Sequence, residues 1–389
     1  MSKIKVNRIE NTASTDGGVD IDATGHVTVD GQQMPTAGAL SNRNLIINGA
    51  MQVAQRGTTG TVSTAGNYPA LDRWSCNDGG IGGFTVSQST DAPTGFANSA
   101  KWACTSTGSA TDDAFHEQKL EGQDLQQLAH GTSSAKSITI SFWVKSNKTG
   151  EYSLWIENND ASRYFTTPGY TINAANTWEF KTITVPGDTG GSGFTNDNGV
   201  SLKIRWHLVL RTSFQGTPPG TWSTSASLRG QSGHVNFADS TSNEWYLTGV
   251  QLEVGSKATP FEHRSFGDEL AKCQRYFQHS FQGAPGTGNT SNDGVVSVGG
   301  STTGNTTSFL GTARIQFSPN MRADPTITIF DLANPRNTGK CMRHTYGAAG
   351  TNNSSVGAHD INTKSFVARS DGSANASGFI FHYQAEAEL

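Results

Sequence analysis

The chain contains 389 residues, of which 45 are glycine and only 15% are charged. Its 28 Lys and Arg residues against 32 Asp and Glu residues give a net charge of −4, and without a basic run this excludes an electrostatic surface for nucleic acid. Because domains usually contain roughly 100–200 residues, we expect at least two. A composition poor in charge and rich in Gly, Ser, Thr and Asn excludes coiled coils and charged disordered tails, and it favours an all-β protein.

The N-terminal sequence carries no secretory signal, since residues 1–8 lack the apolar stretch of roughly 7–15 residues that such signals require. No run of about 18 apolar residues is present either, so we expect no membrane insertion. Cys76, Cys104, Cys273 and Cys341 are far apart and form no C-x-x-C motif, which predicts free, mostly buried thiols rather than a zinc site. These features indicate synthesis in a cytoplasm.

Residues 1–43 are predicted to form an extended β tether. Val19 and Ile21, and then Val27 and Val29, alternate with polar residues at the period of a β-strand. Short strands with two apolar side chains each cannot stay folded alone in water. We therefore expect an anchor or oligomerisation segment that packs on the rest of the chain or on copies of itself.

Residues 44–264 are a succession of strand-length segments separated by turns, which predicts one large antiparallel jelly-roll sandwich. The clearest strand is 137–144, and 152–156 follows it after a turn. Further strands are expected at 178–185, 200–210 and 245–254, and a single helical turn at 123–128.

Helical periodicity is convincing at one place only. Phe266, Leu270, Cys273 and Phe277 recur at three- and four-residue spacing after a capping Ser265, which predicts a linker helix over residues 265–282. Beyond it, residues 283–389 are predicted to form a smaller C-terminal β-sandwich. Its strands are expected at 309–317, 326–330, 365–368 and 378–383.

Several strings of the sequence resemble those of virion-associated structural proteins of tailed phages, especially marine and cyanobacterial ones, which are commonly labelled tail fibre or appendage proteins. The resemblance extends over residues 44–280, and shorter motifs continue it at residues 319–326 and 385–389. The strings that carry it are NLIING at 44–49, FHEQKLEG at 115–122, TISFWVKS at 139–146, WYLTGVQLEVG at 245–255, ATPFE at 258–262 and CQRYF at 273–277.

This resemblance implies a virion protein of the tail or another external appendage that attaches to a host surface glycan or to a neighbouring virion protein. It implies a homotrimer that joins other virion proteins through residues 1–43. A capsid decoration or head fibre protein is the alternative within the same class. The large domain is also similar to the jelly rolls of carbohydrate-binding modules, whose last strand can hold a structural calcium. Thr248 and Gly249 stand where acidic ligands would be needed, so we expect no metal or other cofactor.

No catalytic residue is predicted. The string at His116 and Glu117 approaches the H-E-x-x-H zinc motif, but Leu120 stands where the second histidine would be. Glu117, Glu121 and Asp124 could supply the two carboxylates that glycoside hydrolysis requires, which leaves a polysaccharide depolymerase as an alternative function. We interpret these three residues as solvated charges and the protein as a non-enzyme.

Strand alternation predicts a binding surface. If Ile138, Ile140, Phe142 and Val144 point into the core, Trp143 points outward. The segment 152–156 is predicted to pair with this strand, so that Trp155 and Glu157 share the outer face with Trp143. The same alternation turns Arg205 and His207 outward. The candidate site, interpreted as a surface for a glycan or a partner protein, comprises Trp143, Trp155, Glu157, Arg205 and His207. The alternative is that both tryptophans belong to the core or to a subunit interface.

Overall fold

The computed structural model describes residues 8–10, 18–23, 25–29, 32–34, 41–281, 293–299, 310–333, 336–345, 348–371 and 376–389. Within them the protein is all-β with a single α-helix, as predicted. That helix is too short to cross a membrane, and no other helix of the described chain is a candidate. The chain divides into two compact units. The first comprises Met1–Gln52, Thr61–Asn67 and Trp74–Arg264, and the second comprises Val53–Gly60, Tyr68–Arg73 and Ser265–Leu389.

The N-terminal segment forms a small antiparallel sheet of neighbouring strands, β1 (Arg8–Glu10), β2 (Gly18–Ile21), β3 (Val27–Val29) and β4 (Gln32–Gln33). Val19 pairs with Val29 and Ile21 with Val27, so these four apolar residues share one face. None of the four is fully buried. Residues 1–7, 11–17, 24, 30–31 and 35–40 of the predicted tether lie outside the described residues.

A sandwich of two antiparallel sheets follows. The front sheet has the order β14-β10-β18-β8-β7-β5, and the back sheet has the order β12-β11-β15-β9-β6 with β13 beside β11. β16 and β17 form a short parallel pair. The strands are β5 (Thr59–Thr61), β6 (Trp74–Asn77), β7 (Gly83–Ser89), β8 (Ser99–Ser106), β9 (Ala114–Glu121), β10 (Ile138–Ser146), β11 (Gly150–Asn158), β12 (Arg163–Thr166), β13 (Tyr170–Ile172), β14 (Glu179–Val185), β15 (Val200–Val209), β16 (Gln215–Gly216), β17 (Gly230–Gln231) and β18 (Glu244–Val254).

The core of the sandwich lies between the two sheets. Phe142 of the front sheet meets Trp206 of the back sheet edge to face, with ring centroids 5.8 Å apart. The side chains predicted to point inward from β10 are fully buried, which confirms their direction. The helical turn predicted at 123–128 is present as two consecutive 3₁₀ turns, Gly122–Asp124 and Gln126–Leu128.

The pairing of β10 differs from our expectation. β10 pairs with β14 and β18, whereas β11 pairs with β12, β13 and β15. The turn between them therefore crosses from the front sheet to the back sheet, and Gly150 enters β11 with φ +124°. Trp143 and Trp155 consequently belong to different sheets, so the prediction that they share one face is wrong. Consecutive strands often pair with each other in one sheet, but a turn of the same length can also connect two strands in different sheets.

The second unit is a smaller sandwich, as predicted. One sheet has the order β19-β27-β23-β24 with β20 and β22 also paired to β27, and the other has the order β21-β26-β25. Phe366, Phe379 and Phe381 are buried in its core. The strands are β19 (Phe277–His279), β20 (Val296–Gly299), β21 (Leu310–Gln316), β22 (Thr326–Phe330), β23 (Lys340–Thr345), β24 (Ala348–Ser355), β25 (Gly357–Asn362), β26 (Ser365–Asp371) and β27 (Ala376–Glu386).

The second unit contains segments that lie outside the predicted range of the C-terminal domain. The two units divide after Arg264, but Val53–Gly60 and Tyr68–Arg73 also belong to the second unit. Both segments precede that division by almost two hundred residues of sequence. Parts of the predicted range 283–389 lie outside the described residues.

The helix α1 spans Phe266–Gln274, shorter than the predicted range 265–282. Ser265 caps it as expected, since its hydroxyl accepts a hydrogen bond from the Asp268 amide. Phe277 is buried not in a helix but in β19, where it pairs with Glu386 of β27. The position of Phe277 fits the apolar spacing of a helix and is equally compatible with a β-strand. Pairing of this segment with β27 determines that it forms a strand. Residue 282 lies outside the described residues.

Candidate binding site

An open groove of about 270 Å³ lies on the outer face of the front sheet. Its floor is formed by Ser141 and Trp143 of β10 and Gly249 of β18, and Phe180 of β14 lies at its rim, directly opposite Trp143 in the strand register. Two loop segments form the walls, residues 94–96 on one side and residues 259–263 on the other. We call this feature the aromatic groove.

Aromatic rings line the groove on both sides. The rings of Trp143 and Phe180 lie 5.3 Å apart at 49°, and Phe180 is 47% exposed. Phe96 of one wall meets Phe261 of the other edge to face at 5.0 Å. Both phenyl rings also contact the ring of the exposed His263, at 5.3 Å and 4.9 Å. Apolar rings are thus presented at the surface rather than to the core.

The walls are held to the sheet by buried polar side chains. The Glu253 carboxylate accepts hydrogen bonds from the amide of Thr259 at 2.8 Å and from its hydroxyl at 2.6 Å. The amide oxygen of Gln251 accepts from the Glu262 amide at 2.8 Å. On the other side, the Thr248 hydroxyl donates to the Asn98 carbonyl at 2.7 Å. The groove is therefore formed before any ligand enters, which lowers the cost of ordering on binding.

The charges beside the groove are already paired. Lys145, the next outward residue of β10, contacts the Asp91 carboxylate, and its ammonium group lies 4.3 Å from the Tyr246 ring centroid. The Asp91 carboxylate also accepts a hydrogen bond from the indole of Trp178 at 3.1 Å. The hydrogen bond from Lys145 is the main reason that the pKa of Asp91 is lowered.

The structure separates Trp143 from the other predicted site residues. Trp155, Glu157, Arg205 and His207 come together on the outer face of the back sheet, where Trp155 pairs with Arg205 and Ser153 with His207. Trp155 is only 2% exposed, and its ring stacks on that of Tyr164 at 5.2 Å. The prediction of an exposed Trp155 is therefore wrong.

The segment that follows β15 covers this face. The Arg229 guanidinium lies 5.5 Å from the Trp155 ring centroid, and His234 Nδ1 lies 3.1 Å from the Ser153 hydroxyl. His207 is fully buried beneath this segment. Burial is the main reason that the pKa of His207 lies well below its usual value, and the neighbouring His234 and Arg205 add to the shift. His207 is thus a neutral, buried residue. The prediction that its side chain lies on an open binding surface is wrong.

Arg205 and Glu157 are partly buried members of an ion-pair network. The Arg205 guanidinium contacts the Glu117 carboxylate and lies 3.7 Å from that of Glu157. Lys203 completes the row with a contact of 3.2 Å to Glu157. These charges are engaged with one another within the sheet.

None of the carboxylates considered for hydrolysis lines the aromatic groove. Glu117 and Glu121 are both buried, so their interpretation as solvated charges is wrong. Glu117 contacts Arg205 and accepts a hydrogen bond from the Ser75 hydroxyl, and Glu121 accepts one from Gln123. Asp124 lies on a 3₁₀ turn. Among the residues that the structure describes, no group of three His, Cys, Asp or Glu side chains could hold a metal ion. All four cysteines are free and buried.

Four ring-bearing lining residues were not assigned to the candidate site from the sequence, namely Phe96, Phe180, Phe261 and His263. A signal existed for Phe180, because alternation along β14 turns Phe180, Thr182 and Thr184 outward. The two wall segments carry no periodic pattern, and their approach depends on the tertiary structure.

No protein-family model matches the chain, and no curated protein matches it. Among solved structures, it is similar to the enzymatically active domain of tailspike protein 4 from bacteriophage CBA120, with 14% identity over 55% of this chain, 21% of that chain and a TM-score of 0.29. The chain thus covers about a fifth of the tailspike structure. It is also similar to the CBM22-1 xylan-binding domain of Xyn10C from Paenibacillus barcinonensis, with 13% identity over 58% of this chain, 99% of that chain and a TM-score of 0.30.

The tandem CBM22-1 and CBM22-2 structure from the same Xyn10C aligns over 91% of this chain and 92% of that chain, with 12% identity and a TM-score of 0.30. Likeness at this level carries no argument about function.

Proposed function

We propose that the protein is a non-catalytic glycan-binding component of a phage virion, a tail fibre or similar host-facing appendage. The aromatic groove is the observation that carries the binding role. Trp143 is partly exposed and Phe180 is 47% exposed on the outer face of the front sheet, so both rings keep apolar surface that a ligand could cover. Such a surface is the kind on which a ligand binds.

The lining of the groove matches the two surfaces of a sugar. A pyranose ring has apolar C–H faces that pack on aromatic rings, and hydroxyl groups that require hydrogen-bonding partners. The groove offers the rings of Trp143 and Phe180 beside the hydroxyl of Ser141 and the imidazole of His263. At about 270 Å³ it lies at the small end of ligand sites, which run from roughly 300 to 1,000 Å³, so it suits one or two sugar residues.

The virion setting is supported by the sequence resemblance over residues 44–280. The partly exposed apolar face of Val19, Ile21, Val27 and Val29 supports association of the N-terminal sheet with other chains. We propose a homotrimer that joins other virion proteins through residues 1–43. The same features fit a capsid decoration or head fibre protein, which the position of the chain in the virion would distinguish.

The environments of Glu117 and Glu121 support binding over hydrolysis. A retaining or inverting glycosidase holds two carboxyl groups about 5–10 Å apart on either side of the bond that it cleaves. Glu117 and Glu121 are both buried, and Glu117 is in contact with Arg205. Neither lines the aromatic groove.

The test is binding of the purified full-length protein to an array of bacterial surface polysaccharides and defined oligosaccharides. We expect Trp143→Ala and Phe180→Ala each to weaken binding about ten-fold or more. Phe266→Ala is the matched control, because Phe266 is 56% exposed but lies in the second unit. Absence of binding by the wild-type protein would refute the binding role. Release of reducing ends from a bound polysaccharide would refute the absence of catalysis.

A further inference from the structure

A β-bulge lies directly beneath the aromatic groove. Ser141 of β10 pairs with Gln251 of β18, but Trp143, two residues further on, pairs with Thr248. Gly249 and Val250 therefore share the position opposite Phe142. Bulges in central strands interrupt a ladder and re-aim side chains, and they are common next to binding and active sites. This bulge occurs where the floor of the groove is formed.

Gly249 adopts a backbone conformation that suits glycine, with φ +61°. A Cβ atom at this position would lie 2.7 Å from Cζ of Phe96 and 3.1 Å from Cδ1 of Trp143. Any side chain here would therefore overlap the Phe96 ring and displace it, so the glycine allows the wall to pack against the floor and fixes the width of the groove between them. On the other side of the bulge, the Val250 amide donates to the Gly49 carbonyl at 3.0 Å, which fixes the strand in place.

The lining of the groove carries no ionisable group except the imidazole of His263. The nearby Lys145 is already paired with Asp91, and Glu253 is engaged by Thr259. A carboxylate or sulfate entering the groove would lose hydration without meeting an unpaired cation in the lining, which is unfavourable. An uncharged ligand avoids this cost.

We propose that the groove binds an uncharged sugar residue directly over Gly249, with the apolar face of the sugar on Trp143, so that the missing side chain at position 249 determines which ligands fit. This inference rests on the proposed function and names the ligand class and the specificity-determining residue of the same site. It requires that the glycine serve the ligand and not only the fold.

The first experiment fills the floor of the groove. Gly249→Ala and Gly249→Asn are compared with the wild-type protein by titration calorimetry against cello-, xylo- and mannohexaose. Asparagine tolerates positive φ better than alanine does, so Gly249→Asn fits the backbone of the bulge while its side chain displaces the Phe96 ring and alters the groove. We expect both variants to lose about ten-fold or more in affinity for the oligosaccharide that binds. We expect the melting temperature of Gly249→Asn to stay close to that of the wild-type protein.

Gly233→Asn is the matched control, because Gly233 belongs to the same unit, has φ +85°, and has nothing within 4 Å of a Cβ at its position. It should fold and bind like the wild-type protein. If Gly249→Asn binds undiminished, the proposal is wrong. If both Gly249 variants unfold while Gly233→Asn does not, the glycine serves the fold and the proposal is equally wrong.

The second experiment tests charge. We expect acidic oligosaccharides, represented by oligogalacturonate and hyaluronan hexasaccharides, to bind about ten-fold or more weakly than the neutral hexaose. Binding of the neutral hexaose should change little between about 0.05 M and 0.5 M NaCl, because no ion pair is formed. Tight, salt-sensitive binding of an acidic sugar would overturn the uncharged class.

The failures of the two proposals are distinguishable. If Trp143→Ala abolishes binding but Gly249→Asn does not, the groove binds glycans and only the role of Gly249 is wrong. If the wild-type protein binds no sugar, and Trp143→Ala instead weakens self-association in light scattering, the occupant is a second copy of the chain. Both proposals then fall.

Discussion

Arg73 and Glu388 form a buried ion pair within the second unit. The Arg73 guanidinium contacts the Glu388 carboxylate and lies 3.6 Å from the ring centroid of Tyr276. Glu388 also lies 3.1 Å from the Arg56 guanidinium, which packs against Phe277 at 3.8 Å. The penultimate residue of the sequence thus holds two arginines from the early segments Val53–Gly60 and Tyr68–Arg73.

Glu388→Gln should strongly destabilise the second unit, because it removes the negative charge that neutralises the buried guanidinium groups of Arg73 and Arg56. Breaking a buried ion pair by removing one partner costs about 3–5 kcal/mol. Glu386→Gln is the control, since Glu386 also lies 3.1 Å from Arg56 but its side chain is 39% exposed, against 6% for Glu388. We expect it to cost at most about 1 kcal/mol. Equal urea midpoints for the two variants would contradict this account.

The membership of these early segments could not be predicted from the sequence. Alternation of apolar and polar residues identifies strands, and it located 326–330 at its observed ends and the other predicted strands within a few residues, although strands such as Gly83–Ser89 and Ser99–Ser106 were not predicted. It does not identify which unit a loop joins. Residues 53–60 and 68–73 join the second unit through contacts such as that of Arg73 with Glu388, which span more than three hundred residues.

Trp155→Ala and Trp143→Ala should differ in their effect on stability. Trp155 is buried against Tyr164, Arg205 and Arg229, and truncation of a buried tryptophan costs about 3–5 kcal/mol. Trp143 lies at an open groove, where a substitution should cost less than about 1 kcal/mol. Urea denaturation monitored by circular dichroism measures both. A larger loss for Trp143→Ala would mean that the groove is part of the core.

The candidate site was only half predictable for a related reason. Alternation correctly turned Trp143 and Trp155 away from the core, but the period of a strand gives the two faces and not the neighbouring strand. The turn at residues 147–149 sends β11 to the back sheet, and the segment with Arg229 and His234 then covers Trp155. No local signal in these residues distinguishes a hairpin from a crossing between sheets.

The stability of the first unit should fall in mild acid because of its buried histidines. Burial lowers the pKa of His116 to about 3 and that of His234 to about 4, from a usual value of 6.5. Below pH 6.5 these histidines bind protons in the unfolded chain but stay neutral in the folded chain. The stability that the neutral histidines contribute is therefore present above pH 6.5 and is lost as the pH falls toward their pKa values in the folded state. Each histidine should remove about 2 kcal/mol between pH 7 and pH 5.

The check is the urea midpoint of the wild-type protein and of His234→Gln at several pH values in this window. The variant should lose about 2 kcal/mol less than the wild-type protein between pH 7 and pH 5. His263→Gln removes an exposed histidine of the same unit and serves as the control. An unchanged pH dependence in His234→Gln would show that His234 is not the source.

The N-terminal sheet should mediate self-association through its apolar face. Val27 lies on that face opposite Ile21, whereas the adjacent Thr28 pairs with Asp20 and lies on the other face. If the face is buried between chains, Val27→Asp places a charge in an apolar interface and should shift the protein from a trimer to smaller species in light scattering. Thr28→Lys adds a charge one residue away, opposite Asp20 on the other face, and should leave the trimer intact. The wild-type protein should scatter as about three times 41.3 kDa, and a monomer at micromolar concentration would exclude the trimer. Equal dissociation by both variants would mean that charge at this end of the chain, rather than loss of an apolar contact, separates the subunits.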